Sequence, residues 1–115
     1  PDVIVQNLLI TAIGSKGRVT LPDGSVVWLN SETKLTYPNQ FADDRRLVSL
    51  EGEAYFEVAK DAKKPFVVQA GEIDVEVLGT CFDLDSYSSG EFVKTALLNG
   101  SVKISGKALK DQVYL

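Results

Sequence analysis

The sequence predicts an all-β fold: an antiparallel two-sheet sandwich, or jelly-roll-like β-roll, with Gly-rich hairpin corners and essentially no helix. Three observations predict it. Apolar and polar residues alternate with a period of two along almost the whole chain, the spacing that gives a strand one buried face. No stretch repeats apolar residues at i, i+3, i+4 and i+7 for two turns, as a helix packed on a core would require. Turn residues punctuate the alternation, and Gly24, Gly52, Gly79 and Gly100 each follow a Leu and precede a new apolar run, which suits a sheet that wraps on itself.

Taken in order, the expected strands are Leu8–Ile13, Arg18–Leu21, Val26–Leu29, Lys34–Tyr37, Arg46–Leu50, Glu53–Ala59, Pro65–Ala70, Ile73–Leu78, Phe82–Tyr87, Phe92–Leu98 and Ser101–Ser105. Asp23-Gly24 and Asn99-Gly100 are dipeptides that suit a type I′ turn, where both central residues take positive φ. Two-residue loops there set Leu21 against Val26 and Val19 against Trp28, then Leu97 against Val102 and Thr95 against Ile104. Each register gathers one apolar face. Asp61-Ala62-Lys63-Lys64-Pro65 is a polar turn whose Pro suits the first residue of a strand.

The 115 residues make one domain, spanning 1–115. The chain opens on Pro1 and stops at Val113-Tyr114-Leu115 in what reads as mid-strand, so a domain excised from a longer protein is expected. Twelve Lys+Arg stand against 16 Asp+Glu, a net charge of −4 with no basic cluster, which argues against nucleic acid or an anionic membrane as partner. No apolar run approaches the ~20 residues of a membrane-spanning helix. The absence of His removes Ser-His-Asp chemistry, imidazole metal sites and imidazole pH switching. A lone Cys81 excludes an internal disulfide framework. It has no basic neighbour to lower its pKa, so a small, half-buried residue is expected. No cofactor is implied, and the balance leans toward binding or regulation.

Chemistry could hide in Glu72-Ile73-Asp74-Val75-Glu76, which puts three carboxylates on one strand face. This resembles the E-x-D-x-E strand of jelly-roll hydrolases that cleave β-glucans. Two residues four apart on a strand stand ~13 Å apart, whereas a retaining glycosidase needs its carboxyl groups ~5–5.5 Å apart. One Trp is also little for a sugar cleft. The expectation is a solvated acidic face, with a carbohydrate-binding or β-glucan-cleaving domain using Glu72, Asp74 and Glu76 as the alternative. Asp43-Asp44 and Asp83/Asp85 lack a calcium-loop pattern. Asn99-Gly100-Ser101 matches a glycosylation triplet, which the turn explains without sugar.

The order of Leu21-Pro22-Asp23-Gly24-Ser25, Trp28-Leu29-Asn30, Gly52-Glu53-Ala54-Tyr55-Phe56-Glu57-Val58-Ala59, Pro65-Phe66-Val67-Val68, Leu78-Gly79-Thr80-Cys81-Phe82 and Leu98-Asn99-Gly100-Ser101 resembles the FecR domain of bacterial transmembrane anti-sigma regulators, from about Leu8 to Ile104. Trp28-Leu29-Asn30 and Tyr37-Pro38 are most similar to the branch found in Bacteroidetes-type bacteria. Where that branch usually has Asn, this chain has Asp83, read as a surface substitution. The resemblance implies a non-enzymatic signal relay on the periplasmic side of a single-span inner-membrane protein. Its implied partners are the signalling domain of a TonB-dependent outer-membrane transducer and, through a segment not in this chain, an extracytoplasmic-function sigma factor. Asp23, Gly24, Gly52, Gly79 and Gly100 are then turns or bulges, and Trp28, Phe56, Phe66 and Phe82 core. Asn30, Pro65 and Thr80 belong to the same motifs, and Arg46 is expected to pair with Glu53 across strands. Phe41 and Arg45, in a polar loop with no alternating strand to bury an aromatic, are the candidate docking residues.

Overall fold

A computed structural model describes residues 5–71, 73–85, 94–97, 103–106 and 113–114. They form twelve strands: β1 Gln6–Ile10, β2 Gly17–Thr20, β3 Val26–Leu29, β4 Lys34–Pro38, β5 Arg46–Glu51, β6 Glu53–Glu57, β7 Phe66–Ala70, β8 Ile73–Val77, β9 Cys81–Asp85, β10 Lys94–Leu97, β11 Lys103–Gly106 and β12 Val113–Tyr114. No helix occurs among the described residues. The strands build a seven-stranded sheet, β1-β4-β5-β7-β8-β11-β12, and a five-stranded sheet, β10-β9-β6-β3-β2. The all-β, two-sheet expectation therefore holds.

Every pair among the described strands is antiparallel except β5 and β7, which run parallel with Arg46 opposite Phe66 and Leu50 opposite Ala70. The intervening strand β6 lies in the other sheet. The chain thus leaves the first sheet and re-enters it in the same direction, which no two-residue turn could achieve.

The Asp23-Gly24 register differs by one residue from that expected. Thr20 pairs with Val26, Val19 with Val27 and Arg18 with Trp28. In a two-residue loop Pro22 would oppose Ser25 and have to donate an N–H it lacks. Instead the Leu21 N–H donates to the Ser25 carbonyl at 2.7 Å, and the Gly24 N–H donates to the Leu21 carbonyl at 3.0 Å. Pro22 then takes the second position of a type I turn, where its fixed φ fits, and Gly24 supplies φ 91°. A slip of one residue exchanges the faces of the strand. Val27 and Leu29 are buried, and Trp28, expected in the core, is half-exposed on the outer face.

The second hairpin is also corrected. β10 pairs with β9, Thr95 opposite Leu84, while β11 pairs with β8, Ile104 opposite Val75. The two strands belong to different sheets, so Thr95 does not face Ile104. Asn99, Gly100 and Val102 lie outside the described residues.

Between the sheets four phenylalanines form a column. Phe82 stacks on Phe56 with ring centroids 5.0 Å apart; Phe56 meets Phe66 edge-on at 6.1 Å, and Phe66 meets Phe41 edge-on at 6.1 Å. Phe56, Phe66 and Phe82 are wholly buried, as expected. The column links β9 and β6 of one sheet to β7 of the other and ends at the loop after β4. Leu29, Leu35, Val48, Val68, Val75 and Leu84 pack around it.

Candidate functional site

Arg46 opens β5, and alternation puts it on the same inward face as Val48 and Leu50. Its side chain is 1% exposed. A guanidinium carries five N–H donors and must place them all when buried. Here Nε donates to the Lys64 carbonyl at 2.8 Å, Nη1 to Asp23 Oδ2 at 2.8 Å and the Ala59 carbonyl at 2.7 Å, and Nη2 to the Leu78 carbonyl at 3.2 Å and the Asp61 carbonyl at 3.4 Å. Its Cζ lies over the Phe66 ring, 5.4 Å from the centroid. Asp23 is fixed in turn: Oδ1 accepts from the Ser25 N–H at 2.9 Å, Oδ2 from the Ser25 hydroxyl at 2.7 Å. The Ser25 Oγ accepts from the Ala59 N–H.

One guanidinium thus joins the LPDGS turn, the 59–64 loop, the Phe66 ring and the start of the LGT segment. Gly79 lies where this cluster is tightest. A Cβ there would sit 2.5 Å from Lys60 Cα, so only Gly fits. The expected Arg46–Glu53 pair does not form, because Arg46 points inward to Asp23 at the opposite end of β6 from Glu53. The phase of the alternation in Arg46-Leu47-Val48-Ser49-Leu50 is the signal that could have placed Arg46 inside.

A second polar cluster sits at the other end of β6. The Asn30 N–H donates to the Glu53 carbonyl at 2.9 Å and Asn30 Nδ2 to Glu53 Oε1 at 2.8 Å, while Asn30 Oδ1 accepts from the Ser31 N–H at 2.9 Å. The buried Thr11 hydroxyl donates to the Asn30 carbonyl at 2.6 Å and accepts from the Thr33 N–H at 2.9 Å. Gly52, at φ 122°, passes so close to Thr33 that a Cβ would stand 2.8 Å from its Cα. No sequence signal marked Thr11 or Thr33.

Asp83 joins this cluster rather than lying free on the surface. On the outer face of the five-stranded sheet, Asp83, Tyr55, Trp28 and Arg18 stand side by side in one cross-strand row. Trp28 and Tyr55 rings are 5.6 Å apart, with the Arg18 guanidinium 5.7 Å from the Trp28 ring. Glu53 is the diagonal neighbour of Asp83, placed for a hydrogen bond between their carboxyl groups. Burial, that bond and the charges of Glu53 and Asp85 push Asp83 up to about 6. The bonds from Asn30 and Asp83 hold Glu53 below its ordinary value.

The candidate docking residues line a groove of about 390 Å³ on the rim of the seven-stranded sheet, walled by Pro38, Phe41, Ala42 and Leu47 with Gln6, Gln40 and Arg45 at its edge. Phe41 is not a free aromatic: it is 7% exposed, because the loop folds its ring onto Phe66 at the end of the column. Arg45 is exposed. Of the acidic triplet, Asp74 and Glu76 are half-buried on β8, opposite Gln69 and Val67 of β7; Glu72 lies outside the described residues. Cys81 is half-buried.

The sequence profile of the family described as FecR protein matches residues 7–103. Two crystal structures of a candidate anti-sigma factor from Parabacteroides distasonis ATCC 8503 are similar in fold and sequence. One has a TM-score of 0.90 at 37% identity over 96% of this chain, the other 0.88 at 38% over 95%. The chain spans about half the length of each, 51% and 50%. No curated protein matches it. Asp23, Ser25, Asn30, Gly52, Glu53 and Gly79 of the two polar clusters are among the residues that carry the earlier resemblance, and with the profile spanning nearly every described strand, the chain belongs to the FecR family.

Proposed function

We propose that this chain is the regulatory domain of an anti-sigma factor, acting as a signal relay on the periplasmic side of a single-span inner-membrane protein. The observation that carries the reading is the family match over residues 7–103, supported by the fold shared with the anti-sigma neighbour. The incoming partner is the signalling domain of a TonB-dependent outer-membrane transducer. The outgoing effect reaches an extracytoplasmic-function sigma factor through a segment outside this chain. FecR regulators are a non-enzymatic signalling family, and a fold locked by a saturated Arg46 suits a body that docks rather than one that catalyses.

The groove beside Arg45 is the proposed docking face. Pro38, Phe41, Ala42, Leu47 and Val48 give it apolar lining, Arg45 adds one exposed guanidinium, and the Phe41 ring is held against Phe66. Arg-rimmed apolar pockets are where interface energy concentrates. The test is calorimetric titration of the domain with a transducer signalling domain, repeated with Arg45→Glu, alongside a sigma-dependent reporter in cells. Binding that weakens at least tenfold in Arg45→Glu, with the melting point unchanged and the reporter uncoupled, supports the reading. Unaltered binding and signalling would remove this face from it.

A further inference from the structure

The chain has no His, so imidazole cannot sense pH in it, yet the outer face of the five-stranded sheet holds a pair with that capacity. Two carboxyl groups hydrogen-bond to each other only when one of them carries a proton, since two carboxylates offer acceptors alone. Glu53 on β6 and Asp83 on β9 are diagonal neighbours on adjacent strands of the outer face, placed for such a bond. They line a cavity of about 180 Å³ together with Lys16, Trp28, Asn30 and Tyr55. Glu53 is also the acceptor for Asn30 Nδ2 at 2.8 Å, and Asn30 in turn holds the Ser31 N–H and the Thr11 hydroxyl. A change at the pair therefore has a bonded route into the turn after β3.

We propose that Glu53 and Asp83 form an acid-held clasp, in which one shared proton ties β6 to β9 on the outer face and its loss drives the two carboxylates apart. The groups around the pair favour such behaviour. On β6, Tyr55 stands directly opposite Asp83, with Glu57 two residues further along; on β9, Asp85 and Cys81 flank Asp83. Beyond β9, Ala96 opposes Asp83, and Lys94 opposes Asp85. Across β6, Asn30 occupies Glu53, and Arg18 of β2 is turned to the Trp28 ring. Lys16 lines the cavity and makes no ion pair among the described residues. The immediate surroundings are thus mainly acidic or neutral, with Lys16 the cation placed to answer a second negative charge when the proton leaves. The Asp83 carboxyl, raised to about 6 by burial and by Glu53, puts the event in a range reached by mild acidification.

Trp28 is the only tryptophan in the chain and lines the same cavity, so its fluorescence reports the clasp directly. The experiment is a titration from about pH 4.5 to 8, following tryptophan emission and the ¹³C shift of the Asp83 carboxyl by NMR. It is carried out on the wild type, Asp83→Asn and Glu53→Gln. The expected result is a carboxyl midpoint near pH 6 with a coincident emission step in the wild type. Asp83→Asn should abolish the step, and Glu53→Gln should lower the Asp83 midpoint by about one pH unit. An Asp83 carboxyl titrating below pH 5, or an emission step that survives Asp83→Asn, overturns the proposal. So does a carboxyl midpoint near 6 with no emission step, because a proton lost without displacement opens nothing.

Discussion

The two polar clusters at opposite ends of β6 use the same kinds of group and reach opposite outcomes. Around Arg46, five donors meet five acceptors, and the charge of Asp23 answers that of the guanidinium. Around Asn30, two carboxyl groups stand diagonally across adjacent strands with the Asn30 amide donating to Glu53 alone, and burial with the neighbouring charges raises Asp83. Burial makes the first arrangement rigid, since no alternative partner is within reach. Partial exposure leaves the second adjustable. What distinguishes a fixed joint from a responsive one here is the balance of donors against acceptors, more than the number of hydrogen bonds.

The largest expected effect breaks the first cluster. Arg46→Leu removes the charge that answers Asp23 and the donor that four carbonyls share, and should cost about 3–5 kcal/mol in urea unfolding, the usual result of removing one partner of a buried pair. A loss below about 1 kcal/mol would mean that water replaces the guanidinium and that the cluster is not rigid. Next come the two glycines, one in each cluster. Gly79→Ala must push Lys60 backbone aside, and Gly52→Ala adds a strained φ to a clash with Thr33; each should destabilise by about 1–3 kcal/mol, read from thermal melts. Phe41→Ala removes the outer ring of the aromatic column and should cost about 1–3 kcal/mol. Arg45→Ala, one turn of loop away and exposed, should stay within about 0.5 kcal/mol.

The smallest effect sharpens the comparison most. Asp83, raised in the folded state above its ordinary 3.8, favours the protonated form there. Its stabilising contribution is full below pH 3.8 and disappears as pH rises through about 6. Glu53, held low, acts with the opposite sign: it stabilises above its ordinary 4.5 and is lost as pH falls through its lowered value. Between about pH 4.5 and 6 the Asp83 effect should therefore stand alone, and wild-type stability should fall as pH rises. Asp83→Asn should flatten that slope and gain about 0.5–1 kcal/mol at pH 7, a figure reduced for the solvent exposure of the pair. Urea midpoints at pH 5 and pH 7 measure both.

Much of the fold was legible because alternation is a local signal. Val26–Leu29 was read to the residue, and the alternation of β8 put Val75 and Val77 on one face, which is the buried one. Register was less legible. Asp23-Gly24 suggested a two-residue turn until Pro22, which has no N–H to give, was counted as its neighbour. Which strand pairs with which was not local at all. Nothing in Thr95 or Ile104 says that they lie in different sheets, and only the passage of β6 through the facing sheet makes β5 and β7 parallel. Of the sites, the motif residues were recognised singly, but their convergence on Arg46 depends on carbonyls at positions 59, 61, 64 and 78, which carry no sequence signature. Asp83 was misread for the same reason: its neighbour Glu53 is 30 positions away.

Among the described strands the chain never stays in one sheet for more than two in succession. It enters the seven-stranded sheet with β1, moves to the other for β2 and β3, and returns for β4 and β5; β6 crosses once more before β7 and β8. Neither sheet is a continuous stretch of sequence, so neither can assemble while the other is missing. Folding must wait for contacts between distant segments, which places this domain among slow, millisecond-to-second folders. It should also unfold in a single step, and its two halves, expressed separately, should find no structure until they are mixed.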